Sequence, residues 1–462
     1  MNLGQKKRNR TTGLLVCFLV LISLDMWLFS AMGYGMARWF AALFLLMGIV
    51  LPLENTFYLY IFCFPFSGVL KLSQSSITVL PILNAIIILR LFYKKQVRIS
   101  KLQLQCFFAL LIMQLLCALI YDASLGSIVG FFVNLLFVVC GTSYFSRQQD
   151  QPDVFSRATA TYVTALIAGV VLCDLFPETM YLISRQKQTA LAHDGRFGSV
   201  FVEPNEFSQA ILVGLGLLMT SYPLLRKRSH RVLSLAALIY LAFSGYRTLS
   251  KSYGLTLLIL FALFMLMNWY RTGKYRGIGN AVLKMIPGIL ILSLGIWLLW
   301  EYVFVSILEN RNTNDLWTGR ENLWASYWDA LMQRPDVLLV GNGVGNAPML
   351  SKVQASIGHL VPHNTYLEYL IHFGILGLLL LCGVFAKVIM QNSRKLSTYF
   401  LLVLIAFLAT AFTISANSND CLFVVILLMA MPLHEGKDPP LQSAAEGETE
   451  EAGPEEGMLD LY

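Results

Sequence analysis

Runs of about twenty apolar residues recur along almost the whole of this 462-residue chain. A bilayer core about 30 Å thick is crossed by a helix of about 20 apolar residues. Lipid offers the backbone no hydrogen-bond partner, so runs of this kind must fold as helices. About fourteen candidate spans result, at 12–31, 37–53, 56–71, 76–93, 103–121, 125–143, 158–176, 206–224, 232–246, 250–270, 279–300, 364–388, 398–414 and 418–433. Pro52 and Pro65 interrupt the second and third; read as a re-entrant hairpin, this pair leaves twelve full crossings. Only 13% of the residues are charged, about half the share of soluble domains, as a surface turned toward lipid requires. The expected fold is an all-α polytopic bundle of 12–14 spans.

The first run, "TGLLVCFLVLISLDMWLFSAMG", follows "QKKRNR". It is too long for a signal-peptide core, contains Asp25 and has no small-x-small cleavage pattern, so it reads as the first span. The basic clusters "KKRNR", "YKKQVRISK", "RKRSHR", "RTGKYR" and "SRK" all fall on one side of the membrane under this span list. The positive-inside rule makes that side cytoplasmic, together with both termini. The bundle then occupies 1–433, with two long external loops at 177–205 and 302–362. An acidic tail at 434–462 has the composition of a disordered segment. That tail carries nine acidic residues and one lysine, while positive charge elsewhere clusters beside apolar runs. This pattern reports membrane orientation and gives no sign of a nucleic-acid partner. The eight cysteines sit in or beside apolar runs, as small core hydrophobes do, without a CxxC pair or a disulfide framework.

Three polar constellations collect on the external side. In "GRFGSVFVEPNEFS", Arg196 lies between Gly195 and Gly198, and Pro204-Asn205 opens a helix that Asn205 can cap. A guanidinium presented from such a loop is a bidentate phosphate ligand. In "SGYRTLSKSYGLTLL", Arg247 and Lys251 are four residues apart, beside Ser250. Snorkelling to the headgroups accounts for Arg247 as well as anion binding does. Lys251 begins a helix on the side where cations are disfavoured, and two cations there suit an anionic partner such as a diphosphate.

The third constellation is "TGRENLWASYWDALMQRPDVLLVGNGVGN" followed by "HLVPHNTYLEYLIHFGILG". Leu323, Trp324, Tyr327, Trp328 and Leu331 form an amphipathic stripe, suited to the membrane surface or to packing under the loop. "GNGVGN" lacks the strand–helix context of a nucleotide-binding loop and reads as a tight turn. His363-Asn364 starts the next span, which also carries Glu368 and His372 on one face. Ionisable groups inside a span face a bundle interior or a wet cavity. The helix N-terminus favours an anion nearby and keeps His363 neutral, available as a base. Asp25, Asp174, Lys284 and Glu301 read as structural.

These pieces, in this order, resemble the O-antigen ligase / O-antigen polymerase family of bacterial envelope glycosyltransferases. The resemblance rests on "GRFGSVFVEPNEFS", "TLSKSYGLTLL", "GRENLWASYWDAL", "LLVGNGVGN" and "PHNTYLEYLIHFGILGLL", over about 195–380. It implies a metal-independent, cofactor-free, inverting transferase of the GT-C type in the bacterial cytoplasmic (inner) membrane. Its donor would be an undecaprenyl-diphosphate-linked glycan, its acceptor a second glycan, and its neighbours other envelope polysaccharide assembly proteins. The family's external histidine matches His363, the base or orienting group for the acceptor hydroxyl. Its loop arginine matches Arg196, its Ser-Arg/Lys pair Ser250-Lys251, and its arginine before the tryptophan Arg320. With Arg247, these cations would hold the diphosphate, and Asn364, Glu368 and Ser250 would support them. Lys251 stands where arginine is common, and His372 where the family often has glutamate. Polymerase is favoured over ligase on breadth of occurrence. A lipid-linked oligosaccharide flippase or other multi-span transporter would need similar cations, but transporters place broken helices and binding groups at the midplane.

Overall fold

The computed structural model describes residues 3–72, 78–148, 153–183, 196–201, 203–225, 227–276, 293, 297, 320–346, 361–393, 398–415 and 420–432. The span expected at 279–300, apart from two helical positions, and the tail at 434–462 lie outside these residues, as does much of both expected external loops. The chain is an all-α polytopic membrane protein, with no β-strand among the described residues. Its helices are α1 (Leu3–Met32), α2 (Tyr34–Val50), α3 (Leu53–Cys63), α4 (Val79–Tyr93), α5 (Lys101–Tyr121), α6 (Leu125–Phe145), α7 (Val154–Leu175) and α8 (Pro177–Ile183). They continue with α9 (Pro204–Ser221), α10 (Arg228–Tyr246), α11 (Lys251–Arg276), α12 (Arg320–Met332), α13 (Pro335–Val340), α14 (Thr365–Ser393), α15 (Leu401–Ala411) and α16 (Cys421–Met429). Among the described residues, seven segments are long and apolar enough to cross a bilayer, in α1, α5, α6, α7, α9, α11 and α14.

Burial separates the centre of the bundle from its rim. The apolar window of α9 is 83% buried, whereas that of α5 is 17% buried and turns most of its surface outward. Helix α9 packs against α7, α10, α11 and α15. Gly216 lets it approach the main chain of α15, since a Cβ there would lie 3.1 Å from Val403 Cα. Small residues at such crossings bring backbones together where lipid supplies no hydrophobic drive. Polar side chains add cross-links: Gln209 donates to Thr410 Oγ1 at 2.9 Å and Thr220 to the Tyr399 carbonyl at 2.9 Å.

Pro52 ends α2 and begins α3, an eleven-residue helix that is almost wholly buried. The carbonyls freed at this break are taken chiefly by one side chain, with the Thr56 hydroxyl 3.2–3.5 Å from the Gly48, Leu51 and Pro52 carbonyls as a second donor. Arg90 donates to the Gly48 carbonyl at 2.6 Å, the Leu51 carbonyl at 2.6 Å and Thr56 Oγ1 at 2.8 Å. A cation at a helix C-terminus also meets the negative end of its dipole. Arg90→Ala is therefore expected to lower the melting midpoint in detergent by several degrees, since each orphaned buried carbonyl costs about 1–3 kcal/mol. Arg90→Lys restores only part of the loss, because an ammonium has no fork. An unchanged midpoint for the alanine variant would remove Arg90 from this role.

Helix α14 is broken. Gly374 holds φ 60° and ψ −177° inside it, so the segment before the glycine leaves its last carbonyls without helical partners. The loop after α13 supplies them. Asn342 N–H donates to the Ile371 carbonyl at 2.9 Å and Gly343 N–H to the His372 carbonyl at 3.2 Å. Gln114 of α5 donates to the same His372 carbonyl at 3.0 Å and accepts from Val344 N–H at 2.9 Å. "GNGVGN", expected as a tight turn, is thus a plug that completes the hydrogen bonds of a discontinuous helix. Tyr327 and Leu331 of α12, Val337 of α13 and Ile371 of α14 form a small core of their own beside it.

Candidate functional site

The polar ends of six helices meet at one end of the bundle, and named hydrogen bonds fix the meeting. Arg247, just after α10, pairs with Asp174 near the end of α7 at 2.9 and 2.6 Å. Thr413, just after α15, donates to Ser252 of α11 at 3.1 Å and accepts at its carbonyl from Arg320 of α12 at 3.4 Å. Thr365 of α14 donates to the Ile414 carbonyl at 2.8 Å. Ser415 donates to Glu368 Oε2 at 2.9 Å. The three residues Thr413, Ile414 and Ser415 thus bind the starts of α11, α12 and α14 together. Sequence reasoning missed them; the one signal was a polar interruption, "TISANSND", between two apolar runs.

Asn364 caps α14. Its Oδ1 accepts from Tyr366 N–H at 3.1 Å and Leu367 N–H at 3.2 Å, and its carbonyl from Glu368 N–H at 2.9 Å. His363 precedes this cap with φ 49°, in the left-handed region that histidine tolerates better than most side chains. Trp324 Nε1 of α12 donates to the Pro362 carbonyl at 2.8 Å, and Tyr366 to the Leu408 carbonyl at 2.7 Å. The chain is consequently held on both sides of His363. The His363 Nδ1 is buried and has no hydrogen-bond partner among the described residues. Burial pushes the His363 pKa below the ordinary histidine value; Glu203 opposes that shift and Arg320 adds to it. The sequence attributed a neutral His363 to the helix N-terminus, whereas its largest cause here is desolvation.

Arg196 is anchored by two hydrogen bonds: Nε donates to the Thr248 carbonyl and Nη2 to Asn205 Oδ1, both at 2.9 Å. Asn205 therefore serves Arg196. It does not cap α9, which begins with Pro204 as expected and has no side-chain cap. Phe197 N–H donates to the Arg247 carbonyl at 3.0 Å, so the Arg196 loop lies directly on the connection between α10 and α11. On that connection Ser250 and Ser252 hydroxyls share a hydrogen bond of 3.0 Å, and Lys251 is the first residue of α11. Arg247 is engaged with Asp174 and lies 3.8 Å from the Phe197 ring centre. This adds a third account of that residue, an ion pair between helices, beside snorkelling and anion binding. Glu368 is fully buried on the inner face of α14.

At the start of α14, next to Asn364, α12 and α14 border an open groove of about 440 Å³. Trp324, Trp328, Tyr366 and Leu370 line it, with Asn364. Of the expected amphipathic stripe, Tyr327 and Leu331 are wholly buried against α13 and α14, while Trp328 stays half exposed on the groove.

Residues 236–382 match the family model described as O-antigen ligase. The match runs from within α10 to within α14 and covers about a third of the chain. It contains Arg247, Ser250, Lys251, Arg320, His363, Asn364 and Glu368, and stops short of Arg196. The motif resemblance to the O-antigen ligase / polymerase family therefore holds over this stretch. No curated protein matches the chain.

Proposed function

We propose that the protein is a surface-polysaccharide glycosyltransferase acting on an undecaprenyl-diphosphate-linked oligosaccharide at the outer face of the bacterial cytoplasmic membrane. The observation that carries this reading is His363, held at the capped start of a membrane helix with a depressed pKa and Arg320 near it. The acceptor hydroxyl oxygen bonds to the anomeric carbon of the donor sugar as the bond from that carbon to the diphosphate oxygen breaks. The electron pair leaves with the diphosphate, the hydroxyl proton passes to His363, and one displacement inverts the anomeric centre. Arg196, Lys251 and Arg320 stabilise the charge growing on the leaving diphosphate, and Arg247, held by Asp174, fixes the loop that carries Arg196. Asn364 and Glu368 keep α14 in place, and Ser250 sets the entry to α11. The groove along Trp328 and Tyr366 gives the substrate an apolar and aromatic wall next to the base. Within this reading, joining two lipid-linked units is favoured over transfer to a different acceptor.

The test uses purified protein in vesicles with an undecaprenyl-diphosphate-linked oligosaccharide and no added metal, following glycan length by mass spectrometry. Wild-type protein is expected to lengthen or transfer the glycan. Arg196→Ala is expected to lower the rate about 10²–10³-fold, the usual effect of losing a donor to developing charge. A wild-type rate in this variant would take Arg196 out of the site. Movement of the intact lipid across the bilayer without glycan transfer would replace the reading by a transporter.

A further inference from the structure

Helix α12 opens with Arg320 and carries Trp324 and Trp328 four and eight residues later. A cation and two indoles thus follow one another along one side of the helix. Arg320 donates to the Thr413 carbonyl at 3.4 Å, and the Thr413 hydroxyl reaches Ser252, next to Lys251, at 3.1 Å. The start of α12 is therefore tied to the cationic head of α11. The groove bordered by Trp324, Trp328, Tyr366, Leu367 and Leu370 runs from that charged end along an apolar length.

Two features define what fits this length. The first is that polar atoms of the walls are already spent on main chain. Trp324 Nε1 donates to the Pro362 carbonyl at 2.8 Å and the Tyr366 hydroxyl to the Leu408 carbonyl at 2.7 Å. Asn364 Oδ1 accepts from the N–H groups of Tyr366 and Leu367. These side chains offer an occupant carbon surface. A sugar is read by directed hydrogen bonds, whereas a hydrocarbon chain needs only such surface. The second feature is direction. Tyr366, Leu367 and Leu370 lie on the first turns of a segment, Thr365–Ala386, that is long and apolar enough to cross a bilayer. The Tyr366 ring packs on Phe412 with centroids 4.6 Å apart, and Phe412, Leu408 and Leu401 form an exposed apolar row on α15. A chain leaving the groove continues along this row into lipid without meeting a polar barrier.

We infer that the groove takes the isoprenoid chain of the lipid-linked donor, with the diphosphate at Arg320 and the first isoprene units against Trp324, Trp328 and Tyr366. This rests on the transferase reading above and adds that the protein reads the carrier as well as the glycan. The charge order fits one amphiphile: a diphosphate suits a guanidinium at the head of the groove, and a methyl-branched chain packs on flat rings. An ordinary phospholipid has a phosphate of lower charge and unbranched chains. Trp328 is the specificity-determining residue, since it is half exposed on the groove and lies about 12 Å along α12 from Arg320. Trp324, held by its own hydrogen bond, forms the fixed wall between them.

Two measurements on the full-length protein test this. The first compares donors that carry the same oligosaccharide diphosphate, one on undecaprenyl and one on a single isoprene unit, too short to reach Trp328. Trp328→Ala is expected to raise KM for the undecaprenyl donor about tenfold, the worth of one aromatic contact, and to cut its preference over the short donor by the same factor. The change falls on KM, as loss of binding common to ground and transition states does. Trp328→Phe is expected to restore part of it. The second measurement needs no glycan. Undecaprenyl diphosphate with a photoreactive diazirine near its diphosphate end is crosslinked to the protein in vesicles, and labelled peptides are read by mass spectrometry. Label is expected on 320–332 and 365–376, displaced by undecaprenyl diphosphate and not by phosphatidylglycerol. Label confined to other helices, or displaced equally by phosphatidylglycerol, overturns the assignment. An unchanged KM does so too, as does equal loss with both donors, which would give the groove to the glycan or the acceptor. The expected label in a protein that transfers no glycan upholds the chain site and sinks the transferase reading alone.

Discussion

Replacing His363 by asparagine lowers glycan transfer by about 10²–10⁴-fold, the range spanned by loss of a general base. Asparagine is the informative substitution because the backbone here has φ 49°. Asn visits the left-handed region readily, whereas alanine there adds about 1 kcal/mol of backbone cost that would blur chemistry with folding. His363→Asn is therefore expected to match wild type in melting midpoint and in retention of lipid-linked donor, and to fail in turnover alone. The pH dependence has a defined sign. A base works when deprotonated, and burial places the pKa of His363 below the ordinary histidine value. Wild-type transfer is accordingly expected to persist at pH values where an exposed histidine would already be protonated. A rate for His363→Asn within a few-fold of wild type, at any pH, would remove the base from this position.

Substituting alanine for Gly374 or Gly341 is expected to have the largest effect on the fold. Both glycines hold positive φ, at 60° and 80°. A Cβ on Gly374 would sit 2.5 Å from the Leu339 carbonyl oxygen and from the Gly341 nitrogen. A Cβ on Gly341 would overlap the His372 carbonyl. In each case the obstruction is main chain, which cannot rotate away as a side-chain tip can. Gly374 also has the φ/ψ combination that other residues enter at a cost of about 1–3 kcal/mol. Steric overlap in a packed interior adds about as much again. The expected result is loss of most monodisperse protein in detergent, or a melting midpoint lower by ten degrees or more. Gly130 of α6 is the control, since a Cβ there meets nothing within 4 Å. Equal behaviour of Gly130→Ala and Gly374→Ala would show that the break in α14 is dispensable.

Why some features were legible in the sequence and others were not follows from what the bilayer enforces. Apolar runs cannot hide in a membrane protein, so the helical class and most of the spans described could be read directly. His363-Asn364 stood out because a polar pair at the head of an apolar run has few other uses, and Asn364 indeed caps α14. The break at Gly374 did not stand out. "FGILG" is apolar throughout, and a glycine inside such a run is compatible with an unbroken helix. Its cause lies in "GNGVGN", about thirty residues away, and in Gln114 of α5, neither of which local pattern connects to it. Arg247 shows the same limit. Its partner Asp174 lies 73 positions earlier, so from sequence the guanidinium looked available to a ligand. Asn205 was misread for a related reason: a helix-start asparagine has a local use, and here a distant arginine claims it instead.

The plug on α14 has a consequence for how such a chain can be recombined. Because residues 341–344 complete the hydrogen bonding of 371–372, the segment carrying α12 and α13 is not an appendage that can be exchanged at the membrane boundary. A crossover placed between Asn346 and Thr365 would pair a foreign plug with a native break. Hybrids with a related protein should be joined before Arg320 and after Gly374, and Gln114 must travel with them from a separate part of the chain. The unit of inheritance here is a cassette that crosses the water–lipid boundary, carrying His363, Asn364 and the helix that Asn364 caps as one piece.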